Sequence, residues 1–532
     1  VRFKKLRTAV VAVAAVAALT LTGCAAAAPA GNDNIITVNG SEPQNPIIPT
    51  NTNEVGGGLI ADNIFAGLVY YDASGAPVND MAESITSEDN QTWNIKIKSG
   101  WKFTNGEEVT AESFVKAWNY GALLSNAQLN SYFFEAIEGF SYDVDSELTG
   151  LTVVSPTEFT VKLTSAQSDF PLRLGYTAFM PLPSVFYDDP AAFGENPIGN
   201  GPYMLDGEGA WKHNVEITLV KNPDYKGGRA PLNGGLKIVF YASYDAAYAD
   251  LLADNLDVLT GIPDSALKTY KADLGDRAID QGAAIFQSIT IPERLAHFSG
   301  EEGKLRRAAI SMAINRQEII DVIFNGTRKA ARDFTSPVIA GWSDKLAGSE
   351  VLDFNPEKAK ELWAQADAIS PWTGSFQVGY NADGSHQAWT EAVANSIKNT
   401  LGIDASTNPV PTFSEFRTQI TSDTIQTAFR TGWQADYPAL ANFLAPLYKT
   451  NAGANDGDYS NPEVDALFDK GDQAASLEEA NGYYQQAQEI MLQDLPVLPM
   501  WYGIANGGYS TKVEGVKFGW NSVPLLHEIL KK

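Results

Sequence analysis

From residue 35 onward the chain alternates short β-branched or aromatic runs with longer stretches of helical periodicity. Residues 35–38, 92–97, 159–163, 216–220 and 237–241 are bounded by turn formers and predict strands. Residues 111–120, 305–324, 356–366, 389–399 and 475–493 space their apolar positions as helices do. Asn355-Pro356-Glu357 and Asn461-Pro462-Glu463 each put an amide side chain at the cap, Pro at the first helical position and an acid in the first turn, which is sound helix-start chemistry. The expected class is therefore mixed α/β. No short tandem repeat interrupts the pattern. The Gly-, Asn- and Pro-dense loops at 194–202 and 222–235 are short, so they read as crossings within one multi-lobed body.

The first residues follow another pattern. Arg2, Lys4, Lys5 and Arg7 precede an apolar run at 9–21, followed by Leu21-Thr22-Gly23-Cys24. A spanning helix needs roughly 20 apolar residues, so the run reads as a secretory signal, residues 1–23. The tetrad resembles a bacterial lipobox, which would make Cys24 an acylated first residue. Cys24 is the chain's one cysteine, and a lone thiol in an exported protein cannot form an internal disulfide. Residues 24–34 then form a lipidated tether. The expected location is the outer face of the cytoplasmic membrane.

Acidic residues outnumber basic ones 64 to 38, a formal charge of −26. Removing the signal makes it more negative. Such a surface repels nucleic acid, which is not expected as a partner. With 44% hydrophobic and 11% aromatic residues the chain can fill large cores, and its length suggests two or three domains.

Several segments, in order, resemble one family. They are Asn39-Gly40-Ser41-Glu42-Pro43, IFAGLVYYDASGAPVNDMAESITS from Ile64, WNIKIKSGWKFTNGEEVTAESFVKAWN from Trp93, NPIGNGPYML from Asn196 and LVKNPDYKGG from Leu219. LRRAAISMAINRQEII from Leu305, NPEKAKELWAQA from Asn355, FRTGWQADYPALANFLAPLY from Phe429 and QDLPVLPMWYG from Gln493 complete the series. The chain is identified as a member of the peptide- and nickel-type (family 5) solute-binding proteins of ABC importers, in the oligopeptide-binding branch. The resemblance implies a bilobal periplasmic-binding-protein-like α/β fold (type II, cluster C) with an additional domain inserted beside the first lobe. Lobe I would comprise 32–62, 197–285 and 490–532, the inserted domain II 63–196, and lobe III 286–489. It also implies a monomer that captures peptides by cleft closure and passes them to ABC permease subunits.

A free peptide has a cationic amine and a carboxylate at opposite ends, so its receptor needs an anion and a cation set apart. By resemblance, Asp436 in the Gly-Trp-x-Ala-Asp-Tyr motif meets the ligand amine and Arg430 holds the ligand nearer its carboxylate. Trp433, Gln434 and Tyr437 would edge the side-chain pockets, with Tyr132 and Phe133 as further aromatic candidates. The chain departs from the family at NPIIPTNTNE: an acidic residue that helps bind peptide has no assigned equivalent there, with Thr50 and Glu54 in the neighbourhood.

Two other ligands fit the same fold. A metal chelate needs nitrogen or sulfur ligands, but His213, His297, His386 and His527 are scattered, and neither a metal nor a cofactor is expected. An oligosaccharide could stack on Trp363, Trp372 and Trp389, although such residues more often fill cores. With no nucleophile elbow, phosphate loop or zinc-helix motif, the chain is not expected to be an enzyme.

Overall fold

The first apolar run forms the strand Ile35–Gly40, in which Ile36 and Val38 are fully buried, and it pairs in parallel with Gly235–Phe240. The computed structural model describes residues 34–382, 386–411 and 413–532. The expected signal, Cys24 and the tether up to residue 33 lie outside the described residues.

Among the described residues, one mixed sheet of twelve strands runs through the molecule. Its main order is Ala405–Val410, Phe376–Asn381, Ala428–Gln434, Ala278–Thr290, Val497–Tyr509, Val258–Leu259, Ile35–Gly40, Gly235–Phe240, Glu216–Lys221 and Tyr203–Leu205. The two 13-residue strands, Ala278–Thr290 and Val497–Tyr509, are antiparallel and shared by both halves. At one end Val258 and Leu259 lie against Tyr509 and Gly508; at the other, residues 429–434 lie against 285–290. The register slips between Gly282 and Phe286, where the two halves of the sheet meet. A slip of this kind bends and twists the strand locally. Gly503 faces it, and a Cβ built there would stand 2.7 Å from the Cβ of Ile285.

A smaller sheet of Ala82–Thr86, Thr92–Ile97, Glu158–Lys162 and Leu151–Ser155, in that order, builds the additional domain. The helix Ala111–Ala122 covers it with Phe114 and Trp118. The Trp118 ring meets Phe159 at 5.6 Å and Phe179 at 5.1 Å, and its indole N–H donates to the Phe179 carbonyl at 3.0 Å. Burying the ring therefore leaves no polar atom unpaired.

The five expected strands and four of the five expected helices are found within a few residues of their sequence bounds. The expected helix at 305–324 is instead two helices, Gly300–Ala313 and Arg316–Val322. Ile314 is extended, and the Asn315 side chain accepts from the Glu318 amide at 3.2 Å, starting a new helix. The break turns Arg316 inward, where it donates to the carbonyls of Ser311 and Leu352 at 2.9 Å each and of Pro499 at 2.7 Å. An unbroken helix would have left those carbonyls without this donor.

Arg306 is fully buried between Trp363 and Trp372, at 4.4 and 5.1 Å, and donates to Glu302 at 2.9 Å and to the Ser370 carbonyl at 2.7 Å. Trp389 packs against Trp501 at 5.2 Å. The three tryptophans considered for sugar stacking are thus taken up by internal packing. His213 lies between Glu42 and Glu195, His297 bonds Glu302 and His386 meets Trp389, while burial pushes His527 down to about 4. Among the described residues no group of three metal-ligating side chains forms, and no helix is long and apolar enough to cross a membrane.

The close approach at the sheet crossing makes a specific demand. Gly503→Ala forces a methyl into Ile285 and is expected to lower stability by about 1–3 kcal/mol. Calorimetric melting of the variant against the parent checks this; equal melting temperatures would mean that the crossing tolerates a side chain.

Candidate ligand-binding site

The strand Ala428–Gln434 is paired along residues 429–434 with Ala278–Thr290, but on its other side it pairs with Phe376–Asn381 only at Ala428 and Phe429. Beyond Phe429 the neighbours diverge. Among the described residues, the edge from 430 to 434 has no strand partner on that side. Arg430, Thr431, Gly432 and Trp433 line a cavity of about 430 Å³. A second cavity, of about 310 Å³, is lined by Gln434, Asp436, Glu54, Asp62, Tyr71 and Tyr176 among others. Asn53 and Glu54 border both, so the cavities adjoin.

One buried amide shapes the loop that follows the strand. Asn442 opens the helix Leu440–Tyr448, and its Oδ1 accepts from the Asp436 amide at 2.9 Å and from the Trp433 indole at 3.0 Å. Its Nδ2 donates to Asp436 Oδ2 at 3.0 Å. A single side chain thus fixes both Trp433 and Asp436. Part of the Asp436 side chain still meets the cavity, yet its surroundings are dense protein, and burial pushes its carboxyl up to about 6 while the Asn442 amide pulls it back. Among the described residues no basic side chain lies within ion-pair distance of it. The rings of Tyr71, Tyr132 and Tyr176 surround this carboxyl closely enough that it adds to the burial holding their hydroxyls neutral.

Arg430 stands in the first cavity. Its Nε donates to Asn381 Oδ1 at 3.0 Å, and its guanidinium lies over Phe413 and Phe416 at 5.4 and 5.3 Å. Arg417 lines the same cavity, paired with Asp456 at 2.7 Å. The first cavity therefore carries Arg430 and Arg417, the latter paired with Asp456, and the second carries the carboxylates of Asp436 and Asp62, with Glu54 on the border of both.

The remaining expected residues separate into two groups. Trp433 lines the first cavity, and Gln434 lines the second while donating to the Asn521 carbonyl at 2.9 Å. Tyr437 and Phe133 are buried and line neither cavity; Arg173 lies over the Tyr437 ring, and Phe133 stacks on Tyr176 at 4.3 Å. Tyr132 is half-buried behind them. Of the two residues near the unassigned acidic position, Thr50 is buried and donates to Gln128 at 2.9 Å, whereas Glu54 borders both cavities. Glu54 also caps the helix Val55–Ile64 by accepting from the Gly57 amide at 2.8 Å. Asn442 and Asn381 escape sequence reasoning, because an asparagine's role depends on neighbours that only the fold supplies.

Residues 76–455 match the description of bacterial extracellular solute-binding proteins, family 5. The chain belongs to that family. Oligopeptide-binding protein OppA of Bacillus subtilis is 24% identical over 85% of this chain and 84% of its own. A probable deoxycholate-binding periplasmic protein, YgiS of Escherichia coli, is 25% identical over 89% of each chain. Among solved structures, Haemophilus influenzae OppA in complex with RPPGFSPFR aligns with a TM-score of 0.76 at 21% identity, covering 94% of this chain and 99% of that one. The fold is thus the bilobal α/β architecture of periplasmic binding proteins with an additional domain beside the first lobe. Overall identity does not separate the ligands these relatives are named for, so site chemistry must.

Keeping a carboxylate desolvated and without a cation costs stability. An acid whose folded pKa is raised to about 6 adds no cost below its unfolded value, and the cost grows as pH rises through about 6. Asp436→Asn is therefore expected to stabilise the ligand-free protein at pH 7.5 by at most about 3 kcal/mol, with the gain vanishing near pH 3.5. Denaturant melts at the two pH values check this; a gain equal at both would locate its cause elsewhere.

Proposed function

We propose that this protein captures short peptides with a free N-terminus outside the cytoplasmic membrane and presents them to the permease of an ABC importer, held at the membrane by lipid on Cys24. The observation that carries this reading is the strand edge at residues 430–434, which among the described residues has no strand partner on its cavity side, with Asp436 beyond one end and Arg430 at the other. An extended peptide can pair with such an edge through its backbone whatever its sequence, while its side chains enter the flanking cavities. Its amine would meet Asp436 and its carboxylate would lie toward Arg430.

Each part of the chemistry suits a peptide better than a sugar. Taking an ammonium and a carboxylate out of water costs several kcal/mol per ion, recovered only with good geometry and further hydrogen bonds. Asp436 has already lost much of its hydration and is oriented by Asn442, so much of that cost has been met in folding. The tyrosine rings add faces that attract a cation. An oligosaccharide would leave Asp436 unpaired. Extended chain rises about 3.3 Å per residue, so the six steps from Arg430 to Asp436 span at most ~20 Å, the reach of about five or six residues. The relatives named for oligopeptide binding, and the structure holding RPPGFSPFR, support the same class of ligand.

The lobes would be 32–62 with 197–285 and 490–532 on one side and 286–489 on the other, with 63–196 inserted beside the first. Closure would occur at the crossing of the two long strands. The protein binds and releases its ligand without reacting with it.

Mass spectrometry of molecules released on denaturing the purified protein should show peptides. Titration calorimetry with penta-alanine should give micromolar binding, about 8 kcal/mol. N-acetylation should weaken it at least ~30-fold, about 2 kcal/mol; equal affinity for the blocked peptide would remove amine recognition. Turnover of the peptide would instead make the protein a hydrolase.

Binding of penta-alanine should also follow a bell in pH. Its acid limb falls near 6, where Asp436 takes a proton, and its alkaline limb near the ordinary amine value of about 8. Calorimetry from pH 4.5 to 9 checks this, and Asp436→Asn should abolish the acid limb. A flat profile in the parent protein would count against a carboxylate–ammonium contact.

A further inference from the structure

The additional domain and the far lobe meet along a narrow seam that runs directly beneath the Asp436 loop. On the domain's side, Arg173 is buried and pairs with Asp169 at 3.1 Å, while its guanidinium also lies over the Tyr437 ring at 5.4 Å. Tyr437 is the residue after Asp436. On the far side, Asp472 accepts from the Tyr484 hydroxyl at 2.7 Å, and its charge, like that of Asp169, raises the pKa of the guanidinium. The backbone joins in: the Ser168 amide donates to the Asp472 carbonyl at 3.2 Å, and Asn90 donates to the Ala474 carbonyl at 3.4 Å. Gly75 comes against Pro438, with a φ of 88° that suits glycine.

These contacts link the far lobe to the additional domain, whose four-stranded sheet shares no strand with the twelve-stranded one, so a hinge motion that parts the two must break them. They also converge on the loop that carries the ligand carboxylate. We propose that Arg173 is a positioning residue for ligand capture: from the additional domain it clasps Tyr437, holds the Asp436 loop in its binding position and biases the free protein toward the closed state. Arg173 need not touch the ligand. The inference rests on reading Asp436 as the partner of the ligand amine.

The balance of charge makes the clasp adjustable. The guanidinium pairs with Asp169, and burial together with Asp169 pushes Asp472 up to about 6, while Arg173, the Tyr484 hydroxyl and Lys449 pull it down. A ligand that fills the cleft adds contacts favouring closure, and the clasp adds to them. Affinity then scales with the fraction of free protein already in the binding-competent state.

The test compares Arg173→Gln, Arg173→Lys, Asp472→Asn and the double variant R173Q/D472N in the full chain, each first shown to be folded by its melting transition. Small-angle scattering of the ligand-free proteins should show a larger radius of gyration for Arg173→Gln, and penta-alanine binding should weaken about tenfold if the competent fraction falls tenfold. Arg173→Lys, which keeps the cation, should recover most of both. Because the seam acts as one unit, the double variant should be little weaker than Arg173→Gln alone. Additive losses, or a Gln variant with unchanged scattering and affinity, would overturn the proposal. Should Arg173→Gln fail to fold, Asp472→Asn with parental scattering and affinity overturns it alone. If even the parent ignores penta-alanine, the peptide reading fails, while the scattering comparison still decides whether the clasp exists.

Discussion

The antiparallel pairing of Ala278–Thr290 with Val497–Tyr509 is the constraint from which the site's geometry follows. Each strand starts in one half of the sheet and ends in the other, so the backbone hydrogen bonds that stiffen each half also join them. The register of this ladder shifts between Gly282 and Phe286 and again between Gln287 and Ser288, and Gly503 lets the opposing strand come close at the first of these. The strand that carries Arg430 to Gln434 pairs with residues 285–289, so the first register shift lies beside the site.

Within the far half, buried guanidiniums do much of the stiffening. Arg306, Arg307 and Arg316 are nearly or fully buried, and each satisfies carbonyls from segments distant in sequence. Removing Arg316 would leave the carbonyls of Ser311, Leu352 and Pro499 without this donor, which costs more than the hydrogen bonds themselves contribute. Asp436 is the opposite case. Its backbone and one oxygen are held by Asn442, but among the described residues its charge has no basic partner. A group left in that condition destabilises the empty fold and favours any ligand that supplies a cation.

Much of the fold was legible from residue pattern, because most of the strands and helices obey local rules. Asn355 and Asn461 cap helices as their sequences predict, accepting from Lys358 and Glu463 amides at 3.0 Å each. The break at Ile314 was not legible. Its helical periodicity continues through Asn315, and the gain that splits it comes from carbonyls at Leu352 and Pro499 that meet Arg316 only after folding. At the site, the charged residues were visible because charge in a recognisable motif is a strong signal. Glu54 was left beside Thr50 as one of two candidates, and geometry separates them: one caps a helix at the cavity wall, the other is sealed inside.

The tyrosines illustrate why aromatic content alone says little about ligands. Tyr437 and Phe133 were expected at the cavity and are instead buried away from it, Tyr437 beneath the Arg173 guanidinium and Phe133 stacked on Tyr176. A carboxyl backed by buried rings cannot recruit water from that direction, so its remaining hydration must come from the cavity side. Any solute entering there displaces the last of it. On the proposed reading, selectivity for a cationic end would depend less on the shape of the cavity than on the water these buried rings exclude, and the Arg173 guanidinium over Tyr437 would tie them to the additional domain.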